Sequence, residues 1–254
     1  MLLTVKDACE LHPIALDYAM SEQIENLSDV IDKTAQDAAE FFGKNYVTVG
    51  METLLRQGLK RLAGRDTQAV FELKQAMGGG KTHSMVALGL LARDAALRLQ
   101  TVPKIAADAP FDHARVVAVN GRLGFEEHFL WGEIAIQLGK GAAFAQFWKD
   151  GPKAPSEKDW IDLIGDEPVL ILLDELPPYF DYAVTRAVGG GTLAQVATFA
   201  LSNLLSAALK LKRCCIVISN LAGTYVGATK QLSQAIYNMQ QEANRQAKAI
   251  VPVE

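Results

Sequence analysis

Cysteine is scarce in this chain: Cys9, Cys214 and Cys215 are the three among 254 residues. An odd count, with two of them adjacent, argues against a disulfide framework and lacks the paired spacing of a zinc site. Buried, reduced thiols are the expected state. Aromatic residues make up 7% of the chain, there is no basic tail, and the formal net charge is −4. A dedicated nucleic-acid surface of the strongly basic kind is therefore missing, although a concave basic patch is compatible with an acidic protein. Long apolar runs are missing too. None reaches the roughly 18 residues a membrane span needs, and Met1–Asp7 lacks the basic-then-apolar order of a secretory signal. The expected compartment is the cytoplasm, with no membrane partner. What the chain does have is hydrophobic residues, at 50%. That suffices for one substantial core with a small appendage.

The most informative stretch is Met77-Gly78-Gly79-Gly80-Lys81-Thr82. It follows an apolar run, Ala69–Leu73, and precedes a helical pattern at Ser84–Leu91. Strand, glycine loop, Lys-Thr and helix is the order a phosphate cradle requires. Glycines allow a tight turn that aims backbone N–H groups inward, and the helix start adds partial positive charge. The Lys81 ammonium is suited to the terminal phosphates and the Thr82 hydroxyl to Mg²⁺. The usual pattern is G-x-x-x-x-G-K-[ST], and here Gln75 stands where its first glycine belongs. Gly78 and Gly79 are the candidates to supply that freedom. The plainer reading is a flexible glycine linker before a helix with a chance Lys-Thr.

A second signal weighs against the linker. Pro168-Val169-Leu170-Ile171-Leu172-Leu173 is aliphatic without polar alternation, as in a strand buried on both faces, and it ends in Asp174-Glu175. Such an acidic strand end resembles a Walker B strand, with Asp174 on Mg²⁺ and Glu175 as general base for the attacking water. A third apolar run, Cys214–Ile218, ends in Ser219-Asn220, either of which is a candidate to reach the attacking water or the terminal phosphate. A fourth, Ala114–Val119, ends in Asn120-Gly121. Helical patterns at about 82–98, 127–139 and 193–211 alternate with these strands. The expected fold is α/β: a P-loop NTPase three-layer sandwich with a mostly parallel sheet and an N-terminal helical segment. Ligands bind such sheets at the carboxyl ends of the strands, where all these polar residues fall.

Two regions are expected: an N-terminal helical segment over 1–66 and an ATPase core over 67–254. In the first, Ser21 is placed to cap one helix and Met51–Leu62 forms another, closed by Gly64. Tyr46–Gly50 between them is a candidate base-contacting loop. Ser156, with Asp159 three residues on, caps a short helix at 156–164. Pro177 and Pro178 are expected to forbid direct continuation from Glu175 into a regular helix. Arg186–Thr192 reads as a hinge-like loop, with Thr192 capping the long helix that follows. A Gln/Ala-rich helix is expected at about 228–249, and Ile250–Val253 resembles the start of a further strand.

The glycine loop through His83, Leu172-Leu173-Asp174-Glu175 and Ile218-Ser219-Asn220 together resemble a AAA-like P-loop ATPase. With Phe41-Phe42 and Gly50–Leu55 upstream, the chain is similar to the large predicted ATPases encoded beside DNA methyltransferases and helicases in bacterial phage-defence loci. The resemblance implies ATP and Mg²⁺ as cofactors, and work on DNA or a partner complex by a homo-oligomer or a defence-complex subunit. It implies phosphate contact along Met77, Gly78, Gly79, Gly80, Lys81, Thr82 and His83, metal at Thr82 and Asp174, and catalysis by Lys81, Glu175 and Asn220. It also implies a helical lid that this sequence does not reach, so a longer protein is expected. Arg186, Arg213 and Arg245 are candidates for an arginine finger. Two other readings remain: a nucleotide-gated scaffold with little hydrolysis, and a small-molecule kinase, which normally lacks the Asp-Glu strand end.

Overall fold

The computed structural model describes residues 35–74, 79–123, 127–220 and 247–252, together with Leu27, Val30, Phe125, 233–235 and Tyr237. The strands are β1 (Val70–Lys74), β2 (Arg115–Asn120), β3 (Val169–Asp174), β4 (Ala187–Val188), β5 (Gly191–Thr192), β6 (Cys214–Asn220) and β7 (Lys248–Ile250). The helices are α1 (Ala35–Lys44), α2 (Val49–Leu62), α3 (Lys81–Arg93), α4 (Ala95–Thr101), α5 (Pro103–Asp108), α6 (Phe129–Gln137), α7 (Gly141–Phe144), α8 (Glu157–Ile164), α9 (Leu176–Val184) and α10 (Leu193–Lys210). The protein is α/β, with a five-stranded sheet in the order β2-β3-β6-β1-β7. Every pairing in it is parallel.

Strand alternation splits the core in two. Val70, Val117, Val119, Ile171, Leu173, Ile216 and Ile218 face α6, α8, α9 and α10. Phe71, Leu73, Leu170, Leu172, Cys215 and Val217 face the other way, against α1 to α5. All of β3 is buried, which explains why its sequence shows no polar alternation until Asp174. Both cysteines of β6 are buried, and desolvation pushes the Cys214 thiol up to about 12. The outer edge of β2 is sealed by one side chain. Gln137 of α6 accepts from the Ala118 N–H (2.8 Å) and donates to the Ala118 carbonyl (2.9 Å), so this stretch of edge offers no ladder to another chain.

Arg61 is 4% exposed and knits the two halves together. Its guanidinium donates to the carbonyls of Cys214 (2.9 Å), Asp66 (3.0 Å), Ala208 (2.8 Å) and Leu211. It thereby caps the end of α10 and anchors the start of β6 with one charge.

Several sequence expectations change. Pro177 and Pro178 do not delay a helix: α9 begins at Leu176, immediately after Glu175. Both prolines lie in its first turn, where a backbone N–H has no intrahelical bond to lose. The pattern at about 82–98 breaks at Asp94, whose side chain accepts from the Leu97 N–H (3.0 Å) and starts a new helix. The loop at Arg186–Thr192 contains an antiparallel hairpin of β4 and β5. Phe41 and Phe42 lie inside helix α1. Lys248 and Ala249, read as the end of a helix, already belong to β7, which pairs with β1 in the sheet. Gly64 (φ +73) closes α2 as expected, Ser156 and Asp159 form the capping box of α8, and Thr192 starts α10 with its N–H donated to Gln195 (3.0 Å). The Ser21 helix and most of 228–249 lie outside the described residues. One described helix, α10, is long and apolar enough to cross a membrane, and 67% of that stretch is buried inside the protein.

Candidate functional site

The site forms where β1, β6 and β3 end. β6 lies between the other two, with Leu73 opposite Ser219 and Leu173 opposite Ile218. Gly80, just before α3, has a φ of +69, a left-handed conformation that glycine adopts without strain. Helix α3 starts at the next residue, and a helix start directs its first N–H groups outward along the axis. Ser84 secures this start twice: its N–H and its hydroxyl both donate to the Gly80 carbonyl, each at 2.9 Å. Gln75, Met77 and Gly78 lie outside the described residues.

Thr82 and Asp174 come together although 92 positions separate them: the Thr82 hydroxyl donates to Asp174 Oδ2 at 2.5 Å. The other carboxylate oxygen, Oδ1, accepts from the Ser219 hydroxyl and from the Glu175 N–H (2.9 Å). Asp174 is 3% exposed, so each oxygen is held by the protein and its direction is fixed. Lys81 is 7% exposed. Burial lowers its pKa, and the negative charges of Asp174 and Glu175 oppose that shift. The ammonium therefore lies within electrostatic reach of both carboxylates. Neighbouring N–H groups, a buried cation and a carboxylate at one strand end suit a polyphosphate with its metal.

The donor set fits Mg²⁺. Thr82 Oγ1 and Asp174 Oδ2 are hard oxygens on adjoining strand and helix ends, and Mg²⁺ is commonly held by one carboxylate plus a hydroxyl, substrate phosphates and water. Among the described residues there is no group of three His, Cys, Asp or Glu side chains that could hold a metal alone.

Glu175 follows β3 with φ +49, a left-handed conformation uncommon for a non-glycine residue. Its N–H is held by Asp174 Oδ1 and Ser219 Oγ (3.3 Å), and α9 begins immediately after it. The strained turn aims the side chain away from the strand, toward the turn that follows β2. There Arg122 donates through Nε to Glu175 Oε2. Sequence reasoning gave Arg122 no role. The available signal was its position: Asn120-Gly121-Arg122 ends an apolar run, as Asp174 and Ser219 do.

The remaining candidates are placed as follows. His83 stacks on Phe41 with ring centroids 4.6 Å apart and planes at 27°, so its ring joins α3 to α1. Ser219 rather than its neighbour makes the described contacts to Asp174; Asn220 is placed by its backbone, opposite Lys74. Of the expected Tyr46–Gly50 loop, Val49 and Gly50 already belong to α2, and its N-cap Thr48 donates its hydroxyl to the Pro252 carbonyl just after β7. Arg186 donates to the Tyr182 hydroxyl at 2.5 Å beside the hairpin. Arg213 donates to the Leu62 carbonyl (3.0 Å) at the amino end of β6, the end of the sheet away from the site. Arg245 lies outside the described residues.

Residues 10–98 match the family model described as the DUF499 N-terminal domain. The matched span includes α1, α2, β1 and α3, and so the glycine loop with Lys81 and Thr82. No curated protein and no solved structure matches the chain.

Proposed function

We propose that this chain binds ATP with Mg²⁺ and hydrolyses it, as a P-loop NTPase module of AAA-like type. The observation that carries the reading is the hydrogen bond from Thr82 to Asp174. It unites a Lys-Thr at a glycine-loop helix start with an acidic strand end, the two parts that a triphosphate and its metal need. The surrounding parallel sheet supports it, since open α/β sheets take ligands at the carboxyl ends of their strands.

In this reading Met77–Gly80 and the start of α3 wrap the phosphates, and Lys81 neutralises their terminal charge. Thr82 and Asp174 would hold Mg²⁺, which when bound shields the phosphate oxygens. Glu175 accepts a proton from the attacking water, and Asn220 senses the terminal phosphate. The work takes place in the cytoplasm, within a larger, oligomeric defence ATPase acting on DNA or a partner complex. The test is phosphate release from ATP with and without Mg²⁺ at several protein concentrations. Magnesium-dependent release is expected. It should climb faster than protein concentration where a neighbour supplies an arginine, because such a residue raises turnover by about 10³–10⁵. Absence of both release and ATP binding would overturn the proposal.

A second reading, a nucleotide-gated scaffold that hydrolyses slowly, is favoured by one observation: the Glu175 carboxylate is already engaged by Arg122.

A further inference from the structure

We infer that the segment carrying Leu27, Val30 and α1 is a strap on the phosphate-binding helix α3, and that strap docking and nucleotide binding are coupled, each strengthening the other. Phe41 acts in this as a positioning residue for the start of α3. The inference rests on the ATPase reading above and concerns the regulation of the same site.

Three contacts tie the strap to α3, spread along its length. At the first turn, the Phe41 ring stacks on His83, the residue after Thr82, and Phe41 is 4% exposed. Near the middle, Gly89 forms a notch for Val30. A Cβ at Gly89 would sit 2.5 Å from Val30 Cγ1 and 3.3 Å from Leu172 Cδ1. At the last turn, Arg93 donates through Nη1 to the Val30 carbonyl. Val30 donates its own N–H to the Leu27 carbonyl (3.2 Å), and both side chains are buried.

The notch is the informative contact. Glycine inside a helix weakens it relative to alanine, so Gly89 is a poor residue for α3 taken alone. It becomes the fitting one once Val30 lies against the helix, because a branched valine is stiff at χ1 and does not swing clear of a methyl group. Helix propensity is thus given up for the seat of the strap.

The coupling follows from the rigidity of the helix. Lys81 and Thr82, which face phosphate and metal in the ATPase reading, open α3, and Arg93 ends it. From His83 to Arg93 the hydrogen-bonded rod runs about 15 Å. Loading of phosphate and metal fixes the first turn. A fixed first turn steadies His83 under Phe41 and, through the rod, the notch and Arg93 under Val30. By linkage, the docked strap strengthens nucleotide binding by the same factor.

The test uses the whole chain and four variants: F41L, V30A, G89A and V30A/G89A. Calorimetry with a non-hydrolysable ATP analogue and Mg²⁺ reads affinity. Hydrogen exchange over Leu27–Val30, with and without the analogue, reads docking, and urea denaturation reads the fold. In the unaltered chain the analogue should slow this exchange about fivefold or more, the lower end of common coupling. G89A should weaken analogue binding by a similar factor. V30A/G89A, which makes room for the new methyl group, should recover most of that affinity. F41L keeps an apolar side chain but loses the ring stack, so it should weaken binding and reduce the slowing of exchange. A rescue by V30A/G89A confined to urea denaturation, with affinity equal in all variants, would overturn the inference and make the contacts packing alone. Equal exchange with and without analogue, in a chain that binds it, would overturn it as well. Failure of the unaltered chain to bind the analogue is a separate result, read directly by calorimetry; it sinks the ATPase reading and this inference with it.

Discussion

The hydroxyl of Thr82 and the Oδ2 atom of Asp174 meet at 2.5 Å across the carboxyl end of the sheet. Each residue is placed by its own element. Thr82 is set by the start of α3, and Asp174 by the end of a strand buried along its whole length.

Replacing either partner should separate binding from fold. T82A and D174N should each lower magnesium-dependent ATP turnover by about 10²-fold or more, the scale at which a preorganised charge-stabilising contact acts. D174A should also weaken the protein, because the Ser219 hydroxyl and the Glu175 N–H lose their acceptor. The expected cost in urea denaturation is about 1–3 kcal/mol.

Lys81→Met should abolish ATP binding without weakening the fold, because it replaces a buried cation with an apolar chain of similar length. The readout is thermal: ATP at about 100 times its dissociation constant should stabilise the unaltered chain by about 2.7 kcal/mol and leave K81M unmoved. The pH dependence has a definite sign. Burial sets the folded pKa of Lys81 below its ordinary value of 10.5, so the folded state sheds this proton first. The charge therefore costs the fold most below the lowered pKa, and that cost fades as pH rises toward 10.5. Any stability gain of K81M should be largest near neutrality and shrink in alkali.

Glu175→Gln should leave ATP affinity near that of the unaltered chain and reduce turnover by about 10²–10⁴-fold, the contribution of a positioned general base. Single-turnover phosphate release with ATP binding measured in parallel checks this. Normal turnover in E175Q would remove Glu175 from the reaction.

Arg61→Ala should be the most damaging of these changes to the fold and have no specific effect on nucleotide affinity. It strips the carbonyls of Cys214, Asp66, Ala208 and Leu211 of a shared charged donor and leaves a void between α2 and α10. A loss of about 3 kcal/mol or more is expected in urea denaturation, since hydrogen bonds to charged groups are worth about 1.5–3 kcal/mol each.

The strands were legible because β3 and β6 are covered on both faces and therefore carry unbroken aliphatic runs, with polar residues only where the chain leaves the core. The same rule made Asp174 and Glu175 visible as candidates, and the glycine loop did so for Lys81. Helix boundaries were less legible where a cap acted inside an apolar pattern, as at Asp94, or where prolines entered a first turn, as at Pro177 and Pro178. Arg122 was invisible for a different reason. Its partner lies 53 positions away, and one arginine after a strand has no local pattern; only the parallel register of β2 on β3 brings the two turns together.

The placement of β6 between β1 and β3 bears on how the protein is made. The two halves of the pocket are synthesised early, yet the strand that wedges them into register comes later in the chain. A nascent polypeptide that has emerged only through Asp174 holds Lys81, Thr82 and Asp174 and still lacks the strand that aligns them. If the chain binds ATP as proposed, ribosome-stalled intermediates ending before Cys214 should emerge unable to retain it.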